Sequence, residues 1–140
     1  MKHLPLLLAV IFLSACGSVD VRPVSAREHR IKRVYVLENP NYPTTEIRDS
    51  IVNGAKRHGI EAKVINGMPP SSSDYFLTYS AYNNWDLAPF LKHAELRLMR
   101  GGRTIGTATY HHHGGLDLWK FGSVPSKIDP VVDQLFAGYQ

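Results

Sequence analysis

Residues 89–113 read PFLKHAELRLMRGGRTIGTATYHHH, and this stretch decides the fold. Two runs with apolar and β-forming residues flank Gly101-Gly102. A Gly-Gly pair in that setting signals a hairpin, because glycine supplies the left-handed backbone that a tight turn requires. The spacing predicts one strand over 89–100 and another over 103–112. A two-residue turn sets Arg100 against Arg103. That register places His93 opposite Tyr110 and on the face of His112, with His111 and His113 on the other face beside Leu96, Leu98 and Ile105.

Upstream, residues 74–82 alternate Tyr75, Leu77, Tyr79 and Ala81 with Phe76, Thr78, Ser80 and Tyr82, as a strand with one core face does. Asn83-Asn84-Trp85-Asp86 is expected to end it. Residues 31–38 and 60–65 read as two further strands. Between them Ile47, Ile51, Val52 and Ala55 recur at helical spacing. Thr44 or Thr45 is the candidate N-cap, and Gly59 the C-terminal stop. Gly54 weakens that helix by about 1 kcal/mol relative to alanine and suits close packing on a sheet. Near the chain's end Val131, Val132, Leu135 and Phe136 form the buried face of a second helix. Either Ser126 caps it, or Asp129 does, with Pro130 in the first helical position. The order β-α-β-β-β-β-α implies an α+β fold of two layers: a mixed, mostly antiparallel sheet of about five strands, with two helices.

The N-terminus carries a different signal. Lys2 and His3 precede an apolar run over 4–13, broken by Pro5, and Leu13-Ser14-Ala15-Cys16 follows with the chain's single cysteine. Ten residues are too few for a membrane-spanning helix, which needs about 20, so the run reads as the apolar region of a signal peptide. The pattern resembles the lipobox of bacterial lipoproteins. That resemblance implies that residues 1–15 are removed and that Cys16 becomes an acylated N-terminus. Gly17, where an aspartate would favour inner-membrane retention, implies the outer membrane. The organisation expected is a signal peptide over 1–15, a lipidated N-terminus and tether over 16–30, and one α+β domain over 31–140. Residues 17–30 hold polar residues and one proline, as a tether does.

The remainder resembles the small lipoproteins of Gram-negative envelopes. The likeness rests on the early strand and helix, the strand Asp74-Tyr75-Phe76-Leu77-Thr78-Tyr79, Trp85-Asp86, and the run Gly106-Thr107-Ala108-Thr109-Tyr110. Lys120-Phe121-Gly122-Ser123 and the C-terminal helix complete it. It implies a structural or assembly role, and it carries no catalytic residue.

Charge and composition narrow the function further. The formal net charge is +4, too small for a nucleic-acid-binding surface in a chain with this address. Arg22, Arg27, Arg30, Lys32 and Arg33 lie near the anchor, where basic side chains can meet anionic headgroups or simply keep a linker solvated. With Cys16 committed to lipid, no disulfide can form within the chain.

Three groups could carry chemistry. Imidazole is a common metal ligand, which makes His93, His111 and His113 the candidates. The expected register keeps them apart, however, and a one-residue slip would be needed to unite them, so no metal or cofactor is assigned. Ser71, Ser72 and Ser73 lack a nucleophile elbow. The pairs Asp74 with Asp86 and Asp117 with Asp129 follow no catalytic spacing. No catalytic residue is therefore assigned and no enzyme is expected. Tyr and Trp are enriched at interfaces. Trp85, among polar neighbours, is expected to be partly exposed. Trp119 is the second candidate for partner binding, although burial of Trp119 and Phe121 under the second helix is the expectation. The reading is a non-catalytic, periplasm-facing binding or assembly module anchored to the outer membrane through Cys16, with another envelope protein as partner. A metal- or small-ligand-binding lipoprotein using His111 and His113 is the alternative.

Overall fold

The computed structural model describes residues 17–114 and 118–140. The lipobox, Cys16 and Asp117 lie outside the described residues.

Six strands form one sheet: β1 Gly17–Arg22, β2 Arg33–Leu37, β3 Glu61–Ile65, β4 Phe76–Asp86, β5 Ala88–Arg100 and β6 Arg103–His112. Their spatial order is β1-β6-β5-β4-β2-β3. β2 runs parallel to both β3 and β4, and the other pairings are antiparallel. Helices α1 Glu46–Arg57 and α2 Val124–Leu135 complete the α+β architecture, with a 3-10 turn over Leu118–Phe121 before α2. No helix among the described residues is long and apolar enough to cross a membrane.

The core lies between the sheet and the helix layer. Val34, Val36, Leu77, Tyr79, Ala94, Leu96, Leu98, Ala108 and Tyr110 meet Ile47, Ile51 and Ala55 of α1, and Ile128, Val131, Val132 and Leu135 of α2. The predicted alternation of β4 holds, with Leu77 and Tyr79 buried. Gly59 ends α1 with φ +72°. Thr45 is the N-cap residue of α1, but its hydroxyl bonds the Asp49 carboxylate at 2.9 Å instead of a backbone amide. Arg48 ties the start of the helix to the end of β2 through Glu38, at 2.7 Å.

Several expectations change. Residues 17–22, expected to be tether, form a strand. Val19 and Val21 supply the alternation, and β6 supplies the hydrogen bonds. Asn83 to Asp86 do not end β4, because a register irregularity between Tyr82 and Asn83 lets the ladder continue to the tip. Helix α2 starts earlier than Ser126 or Asp129. Ser123 is its N-cap, its hydroxyl accepting from the Ser126 amide at 3.3 Å. Pro130 sits inside the helix, where its ring nitrogen cannot donate to the Ser126 carbonyl. Gly54 permits close packing, but against α2 and not the sheet: a Cβ there would lie 2.3 Å from a Val132 methyl.

The C-terminal segment closes the core through Tyr139, whose hydroxyl donates to the His29 carbonyl at 2.5 Å. Burial, with a smaller contribution from Tyr75, pushes this phenol up to about 12. The unfolded value is about 10. The protonated phenol is thus favoured in the folded state. Its contribution is complete below pH ~10 and is lost as pH rises toward 12. Burial raises Tyr42 and Tyr79 as well. Urea midpoints should fall along this alkaline limb, and Tyr139→Phe should flatten it while lowering stability at neutral pH. An unchanged alkaline slope in that variant would assign the effect to the other tyrosines.

Candidate functional site

Strand polarity gathers the candidate residues at one end of the sheet. Gly17, the residue after Cys16, pairs with His112, so β1 begins where β6 ends. The β5–β6 ladder ends with His93 opposite His111. From there the β4–β5 hairpin continues to its tip at Asp86, Leu87 and Ala88.

The tip is held from below by an unexpected residue. Lys120 is only 7% exposed. Its ammonium pairs with Asp86 and lies 5.6 Å from the Phe90 ring centroid and 5.2 Å from that of Phe121. A buried ammonium needs a partner charge, and the aromatic faces add attraction. Lys127 in turn bonds the Lys120 carbonyl at 2.5 Å. The 3-10 turn is therefore latched under the hairpin by a cation. Its apolar neighbours point away: Leu118 is 83% exposed and Trp119 79%. This overturns the expected burial of Trp119, and Phe121 too remains partly exposed at 37%.

Trp85 is 71% exposed, beyond the partial exposure expected, and Leu87 is 89% exposed. Leu87 also has φ 61°, a left-handed conformation that disfavours a non-glycine residue by about 1–2 kcal/mol. Sequence reading missed it, although an apolar residue between Asp86 and Ala88 at a chain reversal was a signal. Trp85, Leu87, Leu118 and Trp119 thus put large apolar surface at the end from which the chain continues to Cys16. Single exposed apolar residues are unremarkable; here four large ones are exposed at the same end of the sheet. A cleft of about 270 Å³, lined in part by Tyr42, Glu46, Asn83, Phe90 and Ser123, opens beside the tip. It is slightly below the range of small-molecule pockets.

The histidines occupy two faces. A β-bulge between Leu98 and Met99 pairs Leu98 with Gly106, leaving Ile105 as the extra residue of β6. The register after the turn is therefore one residue off the expected one. His93, His111 and His113 share the uncovered sheet face, while His112 is buried on the core face, with its ring edge-to-face to Phe90 at 5.4 Å. The expected separation of the three is corrected by this bulge. Partial burial first, then the charges of Lys92, His113 and His93, hold the His111 imidazole below its ordinary range. Among the described residues no group of three or more His, Cys, Asp or Glu side chains is placed to enclose a metal ion.

The serine and carboxylate candidates have local partners. Ser71 and Ser73 hydroxyls lie 2.9 Å apart in an exposed loop, where Asp74 accepts from the Ser71 amide. Asp86 is committed to Lys120, and Asp129 lies 4.0 Å from Arg57.

No family model matches the chain, and no curated protein matches it. Among solved structures it is similar to the PelC dodecamer from Paraburkholderia phytofirmans, at TM-score 0.57, 15% identity and coverage of 86% of this chain and 95% of that one. A Leu-to-Met variant of the same dodecamer gives TM-score 0.59 at the same identity and coverage. A minor lipoprotein from Acinetobacter baumannii is more distant, at TM-score 0.40, 10% identity, and coverage of 78% of this chain and 92% of that chain. At 15% identity, the likeness to the PelC structures establishes a shared fold and no shared activity.

Proposed function

We propose that the chain is a lipid-anchored envelope protein, without catalytic activity, that works as an assembly module at the outer membrane. Its domain faces the periplasm, and its first partner is a second copy of itself. One observation carries this reading. Trp85, Leu87, Leu118 and Trp119 are exposed at the end of the sheet that leads to Cys16. An acylated Cys16 would hold that end at the bilayer, so the patch would be presented where anchored chains meet. Tryptophans in such a patch are what interface energetics favour. The strained, exposed Leu87 also suits a contact surface, since backbone strain concentrates at functional positions. The PelC structures of similar fold are dodecamers by name, which supports self-assembly as the form this takes.

Crosslinking in intact envelopes tests the reading. The wild-type chain should give a ladder of its own multiples, and Trp85→Ala with Trp119→Ala should reduce that ladder to monomer while the domain stays folded. A wild-type chain that gives no crosslinked multiples of itself, whether or not it crosslinks to another envelope protein, would overturn it.

A further inference from the structure

The bulge in β6 creates a feature that the assembly reading does not use. His93 and His111 are directly opposed across β5 and β6. Their Nδ1 atoms lie 3.2 Å apart, with the ring centroids at 5.4 Å. His113 follows on the same face, its ring centroid 5.2 Å from that of His111. Tyr82 stacks on the far side of His93 at 5.4 Å and 20°, which fixes that ring. Ser18 holds His113 through its Nε2 at 2.9 Å. Three imidazoles are thus placed in a row across paired strands, and two of them bring their Nδ1 atoms within hydrogen-bond distance of each other.

We propose that His93 and His111 form a two-nitrogen binding site for a late first-row divalent cation of the Cu2+, Ni2+ or Zn2+ class. Metal–imidazole bonds are about 2.0–2.1 Å, so two nitrogens on one tetrahedral ion stand roughly 3.3 Å apart. The Nδ1 atoms are already 3.2 Å apart on residues that strand pairing sets opposite each other, so turning the two rings toward a common point brings both lone pairs onto one ion without moving the backbone. Imidazole donors favour these ions over oxygen-seeking Mg2+ or Ca2+. The remaining positions are open to water, and His113 is the nearest additional imidazole.

At 3.2 Å one Nδ1 donates its proton to the other, so at most one of the two rings is a cation in this arrangement. When both rings are neutral, metal entry takes both Nδ1 lone pairs. The donating ring then carries its proton on Nε2, with no net proton released. Lys92, Tyr82 and His113 surround the pair, and Glu95 and Arg97 follow His93 on the same face of β5. Lys92 bonds the His112 carbonyl at 2.6 Å, and Arg97 engages Glu95 at 2.8 Å.

The test uses the purified lipidated protein in detergent, titrated with NiCl2 or ZnCl2 by calorimetry and with CuCl2 by electron paramagnetic resonance. One saturable equivalent is expected, with two nitrogen couplings on Cu2+. His93→Ala and His111→Ala should each abolish it, and His113→Ala should weaken it a few-fold. His29, His58 and His112 remain in every variant as internal controls. The replaced rings lie on the uncovered face, so circular dichroism melts should stay near wild type and confirm folding. Absence of a saturable equivalent in the wild-type protein would overturn the proposal. So would an equivalent that survives in the folded His93→Ala/His111→Ala double variant.

Discussion

Replacing Phe136 with alanine is expected to cost about 3–5 kcal/mol, the range for truncating a buried aromatic. Replacing Trp119 with alanine should stay within about 0.5 kcal/mol, as for exposed positions. Phe136 closes α2 and is fully buried between His58, at 6.3 Å between ring centroids, and Tyr139, at 6.2 Å. Removing it opens a cavity where α2, the end of α1 and the C-terminal segment meet. His58 bridges the same elements by contacts to the Tyr139 carbonyl at 2.9 Å and Asp133 at 3.0 Å, so the surroundings cannot easily collapse inward. Domains of this size have roughly 5–15 kcal/mol in hand, and the variant would sit near the edge of folding. Urea denaturation measures both variants: the Phe136→Ala midpoint should drop sharply at an unchanged slope, and the Trp119→Ala curve should overlay wild type. A large loss on Trp119→Ala would show that its ring supports the core, and would remove it from the proposed interface.

That contrast shows what could be read from the chain. Phe136 was legible because Val131, Val132, Leu135 and Phe136 share one helical stripe. Trp119 was not, since its burial depends on which neighbour anchors the 3-10 turn, and the anchor is charged. Hydrophobicity alone cannot show that Lys120 goes in while Leu118 and Trp119 stay out; that requires knowing that Asp86 arrives from the hairpin tip. The hairpin itself was legible from Gly101-Gly102, whose φ angles are 58° and 75°. The bulge was not, although the small residues carried a trace of it. Paired without a slip, Leu96 would face Thr107 and Leu98 would face Ile105. The slip instead sets Leu96 opposite Ala108 and Leu98 opposite Gly106, and sends the threonines outward. Gly106 has no spare room, since a Cβ there would lie 2.6 Å from Val24 and 3.1 Å from Leu135. Tertiary packing of α2 and of the segment after β1 therefore selects the register that unites the three histidines. Strand β1 was missed for a related reason: six residues of alternation are weak alone and become a strand only beside β6.

Cys16→Ala should have the largest effect on where the protein is found. Under the proposed function the anchor is lipid, and each buried methylene contributes about 0.8 kcal/mol. One acyl chain gives only marginal binding, whereas two or more hold firmly. Without the thiol no diacylglyceryl group can be attached, and the lipoprotein route of cleavage is blocked. The uncleaved leader is a poor substitute. Its apolar run covers ten residues, about half of what spans a bilayer. The exposed Trp85 and Trp119 patch is not expected to compensate, because contacts between copies do not bind either copy to lipid. Fractionation on a density gradient, with mass spectrometry of the N-terminal peptide, reads both consequences. Wild type should appear in the outer-membrane fraction with a lipidated Cys16 as its first residue. Cys16→Ala should leave that fraction and keep residues 1–15. Outer-membrane retention of a fully processed Cys16→Ala chain would sink the lipid anchor. The aromatic end of the sheet would then have to be the membrane attachment itself, and Trp85→Ala with Trp119→Ala in that background would release the protein.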